Sequence, residues 1–205
     1  MEPLPSGPPA STSPTGRLVD AARRAAAPLF AVLGALWLVE AVDSVVLDDR
    51  LQANGIRPRD VDGLVGIVAA PFLHGSWGHL IANSVPFVVL GGLVLLRGRA
   101  LWTGVTVFVM LAGGALTWLV GRSANHIGAS GVVFGYLGFL VAAAVLERSG
   151  RAVLGGVVAV LLYGGMIWGV LPRGTVSWEG HLFGLLAGVG AAVMLARARR
   201  RPAPG

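Results

Sequence analysis

Apolar residues gather in six runs, at about 25–47, 77–96, 100–120, 127–146, 152–171 and 177–196. Each approaches the ~20 residues that carry a helix across a hydrocarbon layer of ~30 Å. The connectors between runs two to six are short and polar, beginning with Arg97-Gly98-Arg99. Between the first two runs lies a longer polar stretch, 48–63, with three arginines and four aspartates. The first 22 residues include Pro3, Pro5, Pro8, Pro9 and Pro14 and have no apolar core of the kind a signal peptide carries. They predict a disordered Pro-rich tail, ahead of a membrane domain over 23–199 and a short C-terminal tail at 200–205. The pattern thus predicts an all-α integral membrane protein, multi-pass, built as a bundle of six transmembrane helices.

Composition agrees with this. The chain is 55% hydrophobic and only 13% charged, about half the charge of a soluble domain. Its 31 glycines suit membrane helices, where small residues let backbones approach. With no cysteine, disulfides, thiolate nucleophiles and cysteine metal sites are excluded.

The net charge of +6 comes entirely from arginine on the basic side. If the N-terminus is inside, 11 of the 16 arginines fall on inside segments, so the positive-inside rule predicts both termini in the cytoplasm. The basic end Arg197–Arg201 reads as an anchor on anionic lipid. Nucleic acid is not an expected partner, since no interleaving of basic and aromatic residues accompanies the charge.

Polar residues inside membrane spans are costly and point to function. Ser130 lies 17 residues before Glu147, about 26 Å of helix. His181 lies 16 residues before Arg197, about 24 Å. His79 and Asn83 lie 18 and 14 residues before Arg97, about 27 and 21 Å. Three helices therefore bring a serine, two histidines and an asparagine to one level, a few Å below the outer surface.

The residue types suggest acyl chemistry. An imidazole that takes the hydroxyl proton makes serine a nucleophile, so Ser130 and His181 are the candidate pair. No carboxylate at that level has a claim to orient His181, which reads as a dyad. His79 and Asn83, spaced i, i+4, share one helical face and can donate to an oxyanion together with the Ser130 N–H. Ser130 opens a helix whose positive end favours developing negative charge. Gly180, Gly184 and Gly188 in the sixth run, and Gly131 and Gly135 in the fourth, offer faces for close contact between those helices.

His74-Gly75-Ser76-Trp77-Gly78-His79-Leu80-Ile81-Ala82-Asn83 resembles the HxxxxHxxxN signature of rhomboid proteases. Gly128-Ala129-Ser130-Gly131 is similar to their GxSG motif, and Gly180-His181 with its small neighbours to their last helix. The resemblance covers residues 25–197. It implies a rhomboid-like six-helix bundle, with Ser130 as nucleophile, His181 as base, and His79 and Asn83 as oxyanion donors. It further implies that Phe134, where many members carry tyrosine, stacks on His181. The activity implied is intramembrane serine endopeptidase, without a cofactor, on single-pass transmembrane proteins cut near the outer membrane face. The expected setting is the bacterial plasma membrane, and nothing in the chain sets an oligomeric state. A Trp-Arg dipeptide found in the first loop of some members is absent.

Several residues carry other expectations. His74 reads as a structural residue holding the first loop or as part of the site it supports, and His126 as either the mouth of the site or an exposed loop histidine. Glu40 reads as interior and Asp43 as marking the approach to the outer surface. The tryptophans read mostly as interfacial anchors. A zinc site at His74, His79 and His181 is disfavoured, because no HExxH motif or partnering carboxylate is present. Two other classes compete with the protease. A catalytically silent relative that binds membrane helices would lack the nucleophile or the base. A small transporter would carry mid-membrane charge, which the last five runs lack.

Overall fold

The computed structural model describes residues 14–172, 174 and 176–200. Among these described residues, six helices are long and apolar enough to cross a membrane. They are α1 (Pro14–Val46), α2 (Trp77–Leu95), α3 (Arg99–Val120), α4 (Ser130–Glu147), α5 (Gly150–Val170) and α6 (Trp178–Arg200). Among the described residues there is no strand, only an isolated antiparallel bridge between Ile56 and His126.

α1 begins well before the predicted boundary at residue 23. Pro14 is its first residue, and a proline is tolerated in the first turn because its missing N–H has no helical acceptor there. The expected disorder over 1–22 is therefore replaced by helix from Pro14 onward, and residues 1–13 lie outside the described ones. At the other end Arg200 closes α6, and 201–205 lie outside.

α4 is the central helix. More than half of its spanning window is buried (56%), against 11% for α5. Its tightest partner is α6, and glycine explains the approach. A Cβ at Gly184 would overlap the carbonyl of Gly131, one at Gly188 the carbonyl of Gly135, and one at Gly138 the carbonyl of Leu185. In lipid, where apolar burial gives no drive to association, such backbone contact supplies the packing energy.

α3 is interrupted by a π-helical turn, Val109–Gly113. The turn places Val109 against Gly135 and Gly113 against Gly184, with 3.2 Å between the Cα of Gly184 and an ideal Cβ at Gly113. At the end remote from Ser130, the Glu147 carboxylate takes the guanidinium of Arg97, following α2, and of Arg199 on α6, the latter at 2.6 Å. Arg97 also lies over the Phe139 ring at 5.0 Å. This cluster ties α2, α4 and α6 together.

The segment between α1 and α2 is more ordered than its polar sequence suggests. It holds a 3₁₀ turn, Arg50–Asn54, and a short apolar helix, Val61–Phe72. The latter is too short to span a bilayer. Its exposed Val61, Val65 and Val68 suit the bilayer interface. Asp43, three residues before the end of α1, is buried at 2% exposure and accepts from the Leu51 N–H at 2.8 Å, holding the 3₁₀ turn to the end of α1. Trp102, expected as an interfacial anchor, is instead part of the core at 4% exposure.

Candidate active site

Ser130 is the first residue of α4. Its Oγ lies 2.9 Å from His181 Nε2. The Phe134 ring, one turn along α4, stacks on the imidazole at 4.3 Å between centroids and 8° between planes. The other imidazole nitrogen, Nδ1, meets the backbone carbonyl of Gly169 at 2.9 Å. Since a carbonyl only accepts, the proton is on Nδ1 and Nε2 is free to accept from the serine. No sequence signal pointed to Gly169, because a backbone acceptor carries no residue-type signature.

On the opposite side stand His79 and Asn83. Gly128 takes φ +114, open in practice only to glycine. A Cβ there would come within 2.7 Å of the His79 ring and 3.5 Å of Asn83 Nδ2. The turn before Ser130 is thus pressed against both side chains. His79 Nδ1 accepts from the Gly75 N–H at 3.4 Å, which leaves its Nε2 as a donor beside Gly128. Asn83 is 6% exposed, and its Nδ2 is buried without a partner among the described residues. An unpaired buried donor costs about 1–3 kcal/mol, a cost relieved by an acceptor arriving between Asn83, His79 and Ser130. Gly131 carries no side chain where the Gly180 carbonyl comes within 3.3 Å of an ideal Cβ. Ser130, His181, His79, Asn83 and Phe134 all line one cleft of about 880 Å³, walled by Val85 and Pro86 of α2 and by Tyr163, Met166 and Trp168 of α5.

The turn that leads into Ser130 is buttressed from behind. Gly128 N–H donates to the Ala70 carbonyl at 2.8 Å, and Ala129 N–H to His74 Nε2 at 3.4 Å. The Val61–Phe72 helix is therefore part of the site's scaffold. The sequence reading missed it because a 12-residue apolar stretch lacks the length of a span. His126 is not an exposed loop histidine. It is buried at 3%, bonded through Nδ1 to Ser177 Oγ at 2.7 Å and through Nε2 to the Arg122 carbonyl at 3.2 Å. Arg122 in turn donates to the Val176 carbonyl and pairs with Glu179, so the connector carrying Ser130 is joined to the start of α6 carrying His181.

His74 is fully buried and edge-on to His79 at 5.0 Å. Burial, with the neighbouring His79 adding to it, pushes its pKa from 6.5 down to about 4. The folded state thus keeps His74 neutral, while the unfolded chain takes up a proton below pH 6.5. Stability is present above that pH and falls as the pH drops toward 4, by about 2 kcal/mol at pH ~4.5. Unfolding in detergent at pH ~7 and ~4.5 checks this. The acid loss should shrink in His74→Gln, and an identical loss in both proteins would remove His74 as the cause.

The Rhomboid domain family matches residues 62–198 of this chain. An uncharacterized protein of Mycobacterium tuberculosis (strain H37Rv) is 42% identical over 81% of this chain and 73% of its own. One from Mycobacterium leprae is 42% identical over 81% and 69%. A protein of Acanthamoeba polyphaga mimivirus whose name places it among rhomboid proteins is 25% identical over 61% of this chain and 71% of its own. The chain belongs to the rhomboid family of multi-pass membrane proteins.

Proposed function

We propose that this protein is an intramembrane serine endopeptidase that cleaves single-pass transmembrane proteins near the outer face of a bacterial plasma membrane, with both termini cytoplasmic. The observation that carries the reading is the 2.9 Å Ser130 Oγ–His181 Nε2 contact, set opposite the unpartnered Asn83 amide in one cleft. In this mechanism a peptide carbonyl enters the cleft, Ser130 Oγ attacks its carbon, and His181 Nε2 takes the hydroxyl proton. The oxyanion receives N–H donors from Asn83, His79 and the Ser130 backbone. His181 then gives its proton to the leaving amine, and water, deprotonated by the same nitrogen, hydrolyses the acyl-serine.

Depth favours this substrate class. The groups sit at one end of the bundle, and the cleft is walled largely by apolar side chains of α2 and α5, among them Val85, Pro86, Met166 and Trp168. A membrane helix is the polypeptide that can present itself there. The excess of arginine on the segments at the other end supports cytoplasmic termini.

The test is fluorophosphonate labelling of the purified protein in detergent, beside Ser130→Ala. Labelling of the wild type alone is expected. A folded wild type that does not label, with a second mechanism-based inhibitor agreeing, would overturn the reading in favour of a silent, helix-binding relative.

A further inference from the structure

Among the described residues no acid stands behind the Ser130–His181 pair. Glu179, two residues before His181, turns its Oε1 to the Arg122 backbone N–H at 3.3 Å and to the Arg122 guanidinium at 3.6 Å. The position an orienting carboxylate would take is filled by the Gly169 carbonyl, 2.9 Å from His181 Nδ1.

Stacking on Phe134 does not make this contact redundant. The stack sets the plane of the imidazole. A half-turn about the Cβ–Cγ bond keeps that plane while exchanging Nε2 for carbon at Ser130. Only a directional partner at Nδ1 selects the working flip and the working tautomer together, and it faces the positive charge the ring gains when it takes the serine proton.

The carbonyl is free to do this because of its place in α5. The helix changes to 3₁₀ geometry over Gly164–Val170, and a carbonyl in a last turn has no onward helical partner. Residue 169 must also be small. A Cβ there would come within 2.8 Å of Phe134 Cζ and 3.2 Å of His181 Nδ1, so any side chain pushes this turn off the ring pair.

α5 is also the least embedded span, at 11% burial of its window, and no residue of Gly164–Val170 is buried. Tyr163, Met166 and Trp168 of the same stretch wall the cleft. The turn that carries the Gly169 carbonyl is therefore itself part of the cleft wall.

Resting on the serine-protease reading above, we propose that Gly169 is a positioning residue, whose carbonyl holds His181 in its proton-accepting form only while the last turn of α5 is seated on the Phe134–His181 stack.

The test uses the full chain in detergent, with the fluorophosphonate as probe, comparing wild type, Ser130→Ala, Gly169→Ala and Gly155→Ala. The last places its Cβ in ordinary contact with Leu140, at 3.6 Å on the same helix. Gly169→Ala is expected to label about 10–100-fold more slowly while melting like Gly155→Ala, which labels at the wild-type rate.

Nitrogen-15 histidine spectra of the wild type, with His181 assigned by its loss in His181→Gln, are expected to show the proton on Nδ1. This readout needs no substitution at 169, so it decides the matter even if Gly169→Ala does not fold. A wild type that labels while Gly169→Ala keeps its rate, or a His181 protonated on Nε2 instead, overturns the inference and leaves the hydrolase reading standing. A wild type that labels no better than Ser130→Ala overturns both.

Discussion

Cleavage of single-span reporter proteins in liposomes is expected to fall at least about 10⁴-fold in His181→Ala, and about 10²–10³-fold in Asn83→Ala. In the proposed mechanism the two losses differ because the residues act at different points. His181 is the only base within reach of Ser130 Oγ among the described residues, and without it the hydroxyl must attack unassisted. Asn83 contributes one donor of several, and His79 and the Ser130 amide remain. Asn83 Nδ2 has no partner in the resting site, so its bond is made only when negative charge develops. The Asn83→Ala loss should therefore appear in kcat with KM nearly unchanged. A rise in KM at constant kcat would mean that Asn83 binds substrate rather than the oxyanion. Full activity in His181→Ala would remove the dyad altogether.

The second large effect is structural and lies away from the chemistry. Gly188→Val is expected to lower stability by about 1–3 kcal/mol and to slow fluorophosphonate labelling of Ser130 by about 100-fold. Gly188 is seven residues from His181, about 10 Å along α6, and touches no reacting group. Yet a Cβ there would overlap the Gly135 carbonyl, so the two helices must separate. The Ser130–His181 contact spans that same pair of helices, and an extra ångström takes 2.9 Å beyond hydrogen-bond reach. Gly190→Ala is the matched control, because its Cβ meets only Phe108 Cε1, at 3.8 Å. Thermal melts and labelling rates would decide it; a Gly188→Val protein matching Gly190→Ala in both would show that the α4–α6 spacing does not set the dyad distance.

These two predictions differ in how far they could be read from residues alone. The six spans followed from apolar length, because the thickness of a bilayer imposes length on any helix that crosses it. The common depth of Ser130, His181, His79 and Asn83 followed from a constant rise per residue. The small-xxx-small faces of the fourth and sixth runs announced which helices come close, since only glycine removes the atoms that would keep them apart. Where the reading departed from the structure, local composition was outweighed by context. Pro14 starts α1 instead of forbidding it, and Trp102 packs into the core instead of anchoring at the interface.

What the sequence determined by itself was the class of fold, and it singled out the polar side chains that the structure gathers in one cleft, because each depends on residue type and linear spacing. The tertiary structure alone decided the groups without side-chain identity: the Gly169 carbonyl on His181, the Ala70 carbonyl under the Gly128 turn, and the π turn that seats Val109 against Gly135. Backbone acceptors are the same at every position. Which of them meets a given donor depends on how distant segments pack, and that is set in three dimensions.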